Sequence, residues 1–224
     1  MFDFLDSGRY DLLGAFWVTV QLTLYSAIGS LIWGTLLAGM RVGPVPVMRA
    51  FGTAYVNVVR NTPLTVVIVG CSVGLGQTLQ ITLGGEDFKT MGFRLAVLGF
   101  IAYTSTFVCE ALRSGINTVP VGQAEAARAL GLSFVQVLTL VVLPQAFRAV
   151  VAPLANVLIA LTKNTTVAAA IGVAEASLLM KEMIENETSA LFAVFALFAF
   201  GFIVLTLPMG LILGWVSKRV AVKR

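Results

Sequence analysis

Five apolar stretches leave this chain few ways to fold. They lie at about 12–40, 53–75, 93–112, 150–171 and 190–216, and each is near or above the roughly 20 residues an α-helix needs to cross a hydrocarbon core. The first and last exceed that length and are expected to tilt or protrude. Of 224 residues, 58% are hydrophobic and 12% charged, about half the usual charged share. So little polar surface cannot cover the chain in water. No linker, low-complexity run or internal repeat divides it, so residues 1–224 are read as one domain. The expected fold class is all-α integral membrane with five transmembrane helices.

Charge alternates from loop to loop. One side receives Arg41, Arg49, Arg113, Arg128, Arg148, Lys218, Arg219, Lys223 and Arg224, with Glu125 as its only clear acid. The other receives Asp3, Asp6, Asp11, Glu86, Asp87, Glu175, Glu182, Glu185 and Glu187, against Arg9, Lys89, Arg94 and Lys181. Lys and Arg collect on the cytoplasmic side of membrane proteins, so the N-terminus is expected outside and the C-terminus inside. The acidic N-terminus lacks a basic n-region and is not read as a cleaved signal peptide. The segment 175–188 is expected to form a short outer surface helix.

Several kinds of chemistry are not expected. There is no histidine, which excludes His-based metal sites and general bases. There is no Gly-Lys pair, hence no Gly-x4-Gly-Lys-Ser/Thr phosphate loop, and no His-Glu-x-x-His. A serine nucleophile elbow is not expected either. No aspartate lies inside a span to form an aspartyl pair. The net charge of +4 comes from scattered loop residues without a basic stripe or aromatic platform, so nucleic acid is not an expected partner. Cys71 and Cys109 sit in apolar runs and read as buried thiols. Gly70 and Gly74 form a Gly-x3-Gly run suited to close helix packing.

The most informative stretch is polar and lies between spans: Gln123-Ala124-Glu125-Ala126-Ala127-Arg128-Ala129-Leu130-Gly131, followed later by Leu143-Pro144. Pro120 suits a helix start. Glu125 lies early, where negative charge favours the dipole, and Arg128 is spaced to pair with it. Gly131 suits a C-terminal stop. Ser133 and Gln136 read as a capping box for a second helix, 134–143, which Pro144 is expected to end.

This stretch resembles the EAA loop of importer-type ABC transporter permeases: Glu125-Ala126-Ala127, Gly131, then Val141-Val142-Leu143-Pro144, with valine in place of the family's isoleucine. Arg60-Asn61-Thr62-Pro63-Leu64, the run from Ser114 to Gln123, and Pro144-Gln145-Ala146-Phe147-Arg148 are similar to the polar amino-acid uptake subfamily. The resemblance covers roughly residues 12 to 217. It implies a type I ABC importer permease-like fold, with Glu125, Ala126, Ala127, Gly131, Leu143 and Pro144 in a cytoplasmic loop (about 113–149) that couples to an ATPase. It further implies a second permease subunit, identical or related, two ATPase subunits carrying the ATP-Mg, and an extracytoplasmic amino-acid-binding protein. This chain itself is expected to bind no cofactor and to be no enzyme, and to lie in the cell membrane.

Arg60, Glu110 and Lys163 fall in or at the edge of spans, where ionisable groups are costly and face a partner or a wet path. Glu110 is spaced to pair with Arg113 at the interface. Arg60 precedes Pro63, a break in the second span, and Lys163 opens a polar island in the fourth. Arg60, Thr62, Lys163, Asn164 and Thr165 are therefore candidates for a substrate path, with structural interhelical bonding as the open alternative. The cations suit a polar or acidic amino acid such as glutamate. A non-transporting membrane scaffold or receptor subunit remains the competing class. A secondary transporter would show two related halves.

The charge asymmetry yields a test. In a background lacking Cys71 and Cys109, an impermeant thiol reagent on intact cells is expected to label a cysteine at position 85 and not one at 220. The reverse pattern would invert the topology.

Overall fold

The computed structural model describes residues 9–84 and 87–220. Asp3, Asp6, Gly85, Glu86, Lys223 and Arg224, which entered the reading of the loops, lie outside the described residues. Among the described residues the chain is helical, without a strand. Among the described residues four helices are long and apolar enough to span a bilayer, and a bent pair, taken as one span, brings the number to five.

Helix α1 (Leu12–Val42) starts where Asp11 accepts the Gly14 N–H at 2.8 Å. Its inward stripe is small or polar: Thr19, Thr23, Ser26, Ser30 and Gly34 are buried. Its outward stripe is large and apolar: Leu24, Ile28, Ile32 and Leu36 are exposed. That distribution inverts a water-soluble helix and fits hydrocarbon as the solvent, where small residues let backbones approach. The inward stripe packs along α4 (Phe88–Asn117). At Gly34 a Cβ would stand 2.6 Å from Val108 Cβ and 2.8 Å from the Ser105 carbonyl, so only glycine permits this crossing.

The second span, read at 53–75 with a break at Pro63, is a bent pair of helices that begins earlier, at Pro46. Helix α2 (Pro46–Arg60) and α3 (Leu64–Gly70, running on as a π turn through Cys71–Thr78) meet at 105°. Pro63 has no N–H to continue the ladder. Side chains take over at the break: Asn61 Nδ2 donates to Asn57 O at 2.7 Å and Thr62 Oγ1 to Val58 O at 2.8 Å. The π turn contains Ser72 within Gly70-Cys71-Ser72-Val73-Gly74, which spells Gly-x-Ser-x-Gly after all. It sits inside a helix rather than at a strand-to-helix corner, and the chain has no histidine; it is not a nucleophile elbow.

After α4 come α5 (Val121–Ala129) and α6 (Phe134–Gln136). The helix beginning at α6 does not end at Pro144 as expected. It widens into a π turn (Val137–Val142) and continues as α7 (Leu143–Asn164). Pro144 falls in the first turn of α7, where a missing N–H is tolerated. The Gln145 side chain turns back along the helix, Nε2 donating to Val141 O at 2.8 Å. A tight 3₁₀ stretch (Thr165–Ile171) closes the span at Gly172, followed by α8 (Ala176–Asn186) and α9 (Leu191–Val220).

The main core joins Leu22, Ile68, Ala96, Phe100, Leu161 and Ala168 from five elements. A second cluster seats α8 on α9 through Met183, Val194 and Phe198, with Phe16 of α1 stacked on Phe198 at 5.7 Å.

Glu175 departs from the exposed acidic surface expected for its segment. It is fully buried and caps α8, accepting from Ser177 N at 2.9 Å and Leu178 N at 3.0 Å. The Thr19 hydroxyl of α1 stands 3.5 Å from its Oε2 and accepts the Ala176 N–H at 3.2 Å. One carboxyl thus ties the first span to α8. Burial pushes its pKa up from 4.5 to about 7, against the opposing bonds from Ser177, Leu178 and Thr19 and the nearby Lys181 charge.

The sign follows from linkage. Between 4.5 and about 7 the folded state holds a proton that the unfolded state has lost, so stability falls as pH rises through that window and levels above it. Glu175→Gln, neutral throughout, is expected to abolish the slope, a span on the order of 1–3 kcal/mol. Thermal unfolding of the solubilised protein across and above the window checks this; an unchanged pH slope in Glu175→Gln would refute it.

Candidate functional site

Two regions gather the polar residues singled out in the sequence. The first is the hairpin of α5 and α6. Helix α5 ends in a Schellman motif: Gly131 N donates to Arg128 O at 2.9 Å and Leu132 N to Ala127 O at 3.2 Å. Gly131 holds φ +86°, in the left-handed region, with no atom within 4 Å of where a Cβ would point. The capping box is present: Ser133 N donates to Gln136 Oε1 at 2.8 Å, and Gln136 N donates to Ser133 Oγ at 3.4 Å. Ala127 turns inward onto Val119, Val137, Val142 and Ala146, a small core of the hairpin's own. Gln145 Nε2 donates to Gln123 Oε1 at 2.6 Å and fastens α5 to the start of α7. Glu125, Ala126, Leu143 and Pro144 are exposed. Glu125 and Arg128 are not joined: among the described residues neither enters an ion pair. Both extend outward where water solvates them, and a solvated i,i+3 pair gains only a few tenths of a kcal/mol.

The second region is a pocket of about 350 Å³ between α4 and α7. Tyr103, Thr104 and Phe107 form one wall; Asn156, Val157, Ala160, Leu161 and Asn164 form the other. Asn156, Ala160 and Asn164 are spaced by four, so they share a face of α7. The amides offer both donors and acceptors within an otherwise apolar lining. Asn156 was overlooked in the sequence; its signal was an amide inside an apolar span.

A charge cluster adjoins the pocket. Glu110 of α4 meets three guanidinium groups: Arg41 of α1 through Oε1 at close range, Arg113 at 3.8 Å, and Arg60 of α2 through Oε2 at 3.8 Å. The Glu110–Arg113 pair expected from spacing is therefore the lesser part of it. Arg41, counted as a loop charge, has a side chain only 8% exposed and also donates to Cys109 Sγ at 3.8 Å. Its burial is explained by the carboxylate, since an unpaired charge would not leave water. Arg60 is about half exposed, and its guanidinium lies 5.5 Å above the Phe107 ring. Phe107 stands 5.1 Å from Tyr103, ring to ring, so Arg60 rests on the aromatic wall of the pocket. The cluster carries more positive than negative groups.

The remaining path candidates are dispersed. Asn164 lines the pocket. Lys163, its neighbour, is exposed and without an ion pair among the described residues. Thr62 is half-buried and spends its hydroxyl on the break. Thr165 is buried and donates to Thr162 O at 2.7 Å, outside the pocket lining. Among the described residues no cluster of His, Cys, Asp or Glu is arranged to hold a metal.

A bundle of long apolar helices around a mostly apolar pocket bearing two amides, with a polar hairpin running into the pocket wall, defines a multi-pass membrane protein. Over residues 19–222 the chain matches the model of binding-protein-dependent transport system inner membrane components, and it belongs to that family. Within it the chain is an amino-acid ABC importer permease, a multi-pass membrane protein. It is 63% identical over 218 residues, 96% of either chain, to the glutamate transport system permease protein GluC of Corynebacterium efficiens. It is 31% identical over 209 residues, 92% of either chain, to the probable glutamine ABC transporter permease protein GlnM of Bacillus subtilis. Its fold matches the crystal structure of an amino acid ABC transporter with histidines at a TM-score of 0.77, with 25% identity and 93% of both chains covered.

The hairpin's rigidity is testable at Gly131. Alanine there meets no steric clash, so its cost is the left-handed backbone alone, about 1 kcal/mol. In Gly131→Ala the amides of Leu130–Leu132 are expected to exchange hydrogen about five-fold faster, with Gly131→Asn closer to wild type. Equal exchange in all three proteins would show that the turn does not depend on glycine.

Proposed function

We propose that this chain forms half of the translocation path of an ATP-driven importer for an acidic amino acid, glutamate foremost. Its N-terminus faces outward and its C-terminus the cytoplasm. A second permease subunit, identical or related, completes the path. A pair of cytoplasmic ATPase subunits carries the ATP-Mg, and an extracytoplasmic binding protein delivers the substrate. The hairpin is the ATPase-docking element, with Glu125 and Ala126 on its outer face and Gly131 setting the angle between its arms.

The observation that carries the substrate reading is the pocket itself: an amide-bearing wall opposite an aromatic wall, with Arg60 resting on Phe107. Arg60 and Lys163 offer two cations, and an acidic amino acid has two carboxylates. The 63% identical relative is a glutamate permease by name, which agrees with that charge. What supports the coupling reading is continuity. The hairpin's second arm runs through a π turn into α7, the helix that bears Asn156 and Asn164. A push on the hairpin then reaches the pocket wall through one element, the kind of rigid-body transmission that packed helices support.

The test separates the two readings. Arg60→Met and Lys163→Met, each in the reconstituted complex, are expected to cut glutamate uptake at least about tenfold, because a hydrogen bond to a charged group is worth about 1.5–3 kcal/mol. ATPase co-purification should stay at the wild-type level. Glu125→Lys is expected to do the reverse at the hairpin, losing ATPase binding or the stimulation of hydrolysis by loaded binding protein. Normal uptake in both cation variants would remove the path assignment; normal coupling in Glu125→Lys would remove the docking assignment.

A further inference from the structure

We infer that Glu110 is a resident competitor for the arginine beside the pocket: it holds Arg60 while the pocket is empty and yields it to a substrate carboxylate. The inference rests on the path reading above and deepens it.

The two carboxylate oxygens of Glu110 are used differently. Oε1 engages Arg41, which is buried, with Arg113 at 3.8 Å on the same oxygen. That side of the carboxylate is built into the packing of α1 against α4. Oε2 faces Arg60 at 3.8 Å. This contact is longer than a charge-assisted hydrogen bond, about 2.7–2.9 Å, and Arg60 is about half exposed. One carboxylate thus has a permanent partner and a releasable one.

Arg60 also has somewhere to go. It closes α2 at the Asn61–Pro63 break, and its guanidinium rests on Phe107, a pocket-lining residue. Stacking on a ring leaves the in-plane N–H groups free to donate. A substrate carboxylate entering beside Phe107 meets a planar fork suited to bidentate binding. It can add hydrogen bonds from Asn156 and Asn164, which Glu110 does not make. An exposed ion pair is worth only about 0.2–1 kcal/mol, so the exchange favours a ligand with a better-aligned carboxylate.

On this account the arginine is not a general anion trap. With Glu110 in place, a small anion offers Arg60 no more than the carboxylate it already has. Only a ligand that combines a carboxylate with groups matching the amide wall displaces it. Glu110 is a positioning residue on this account; it touches Arg60 and not the substrate.

The experiment measures radiolabelled L-glutamate binding to the permease–ATPase complex in lipid nanodiscs, without binding protein. Glu110→Gln is expected to tighten binding roughly two- to five-fold, the worth of the exposed pair it removes. Glu110→Asp, whose shorter side chain withdraws from Arg60 while keeping its charge, should shift affinity in the same direction. It also decides the matter if the glutamine variant does not assemble. Arg60→Gln should weaken binding at least about tenfold, and Arg60→Gln with Glu110→Gln should match Arg60→Gln alone. A merely structural Glu110 would weaken binding when altered. Unchanged or weaker binding in both Glu110 variants, with Arg60→Gln still defective, overturns the exchange and leaves the path assignment standing. Wild-type binding in Arg60→Gln overturns the path assignment at Arg60 and the exchange with it.

Discussion

A backbone in hydrocarbon has no water to bond, so every N–H and C=O must be satisfied by the chain itself. That constraint sets the rest of this structure. Regular helix meets it automatically, and most of the chain is regular helix. The departures include the break at Asn61–Pro63, the π turns at Cys71–Thr78 and Val137–Val142, and the 3₁₀ stretch at Thr165–Ile171. The break carries its own side-chain remedy: Asn61 and Thr62 take the carbonyls freed there. Three of the departures also border the pocket or the hairpin: Arg60 stands at the break, Asn164 precedes the 3₁₀ stretch, and the second π turn joins the hairpin to α7. Irregular backbone is kept where it re-aims side chains, and helix is kept elsewhere.

The same solvent argument governs charge. Arg41 and Glu110 would each be costly alone between helices, and together they neutralise one another while binding α1 to α4. Glu175 solves the problem differently. It is buried without an arginine, is satisfied by helix N-terminal N–H groups and the Thr19 hydroxyl, and carries a pKa raised toward neutrality. Lys163 is exposed and without an ion pair among the described residues, which is tolerable only where water or ligand reaches it.

The mechanical consequence lies in how the hairpin is built. Its turn is fixed at both ends, by the Schellman bonds at Gly131 and by the capping box at Ser133, and its interior is filled by Ala127 and the valines around it. The two arms are thereby held at one angle to each other. The Gln123–Gln145 bond adds a tie from α5 to the first turn of α7.

Much of this was legible in the sequence, because its rules are local. Length and apolarity marked the spans, since a helix in lipid is long and apolar wherever it lies. Spacing identified the capping box at Ser133 and Gln136, and a glycine at the end of a short helix announced the turn at Gly131. Pro63 marked the second-span break. What local rules could not supply was partnership across the chain. Arg41 read as a loop charge because nothing near it in sequence reveals that Glu110, far along the chain, neutralises it. Glu175 read as surface acid because its burial depends on α1 folding back over α8. Pro144 read as a helix end because proline usually is one; its place in the first turn after a π turn lets the helix pass. Asn156 gained meaning only when α7 packed beside α4 and placed it across a pocket from Tyr103 and Phe107. The sequence by itself determined a membrane bundle with a structured polar hairpin, because solvent and backbone geometry act residue by residue. Only the tertiary structure decided which charges meet and where the pocket opens, because those depend on which helix faces touch.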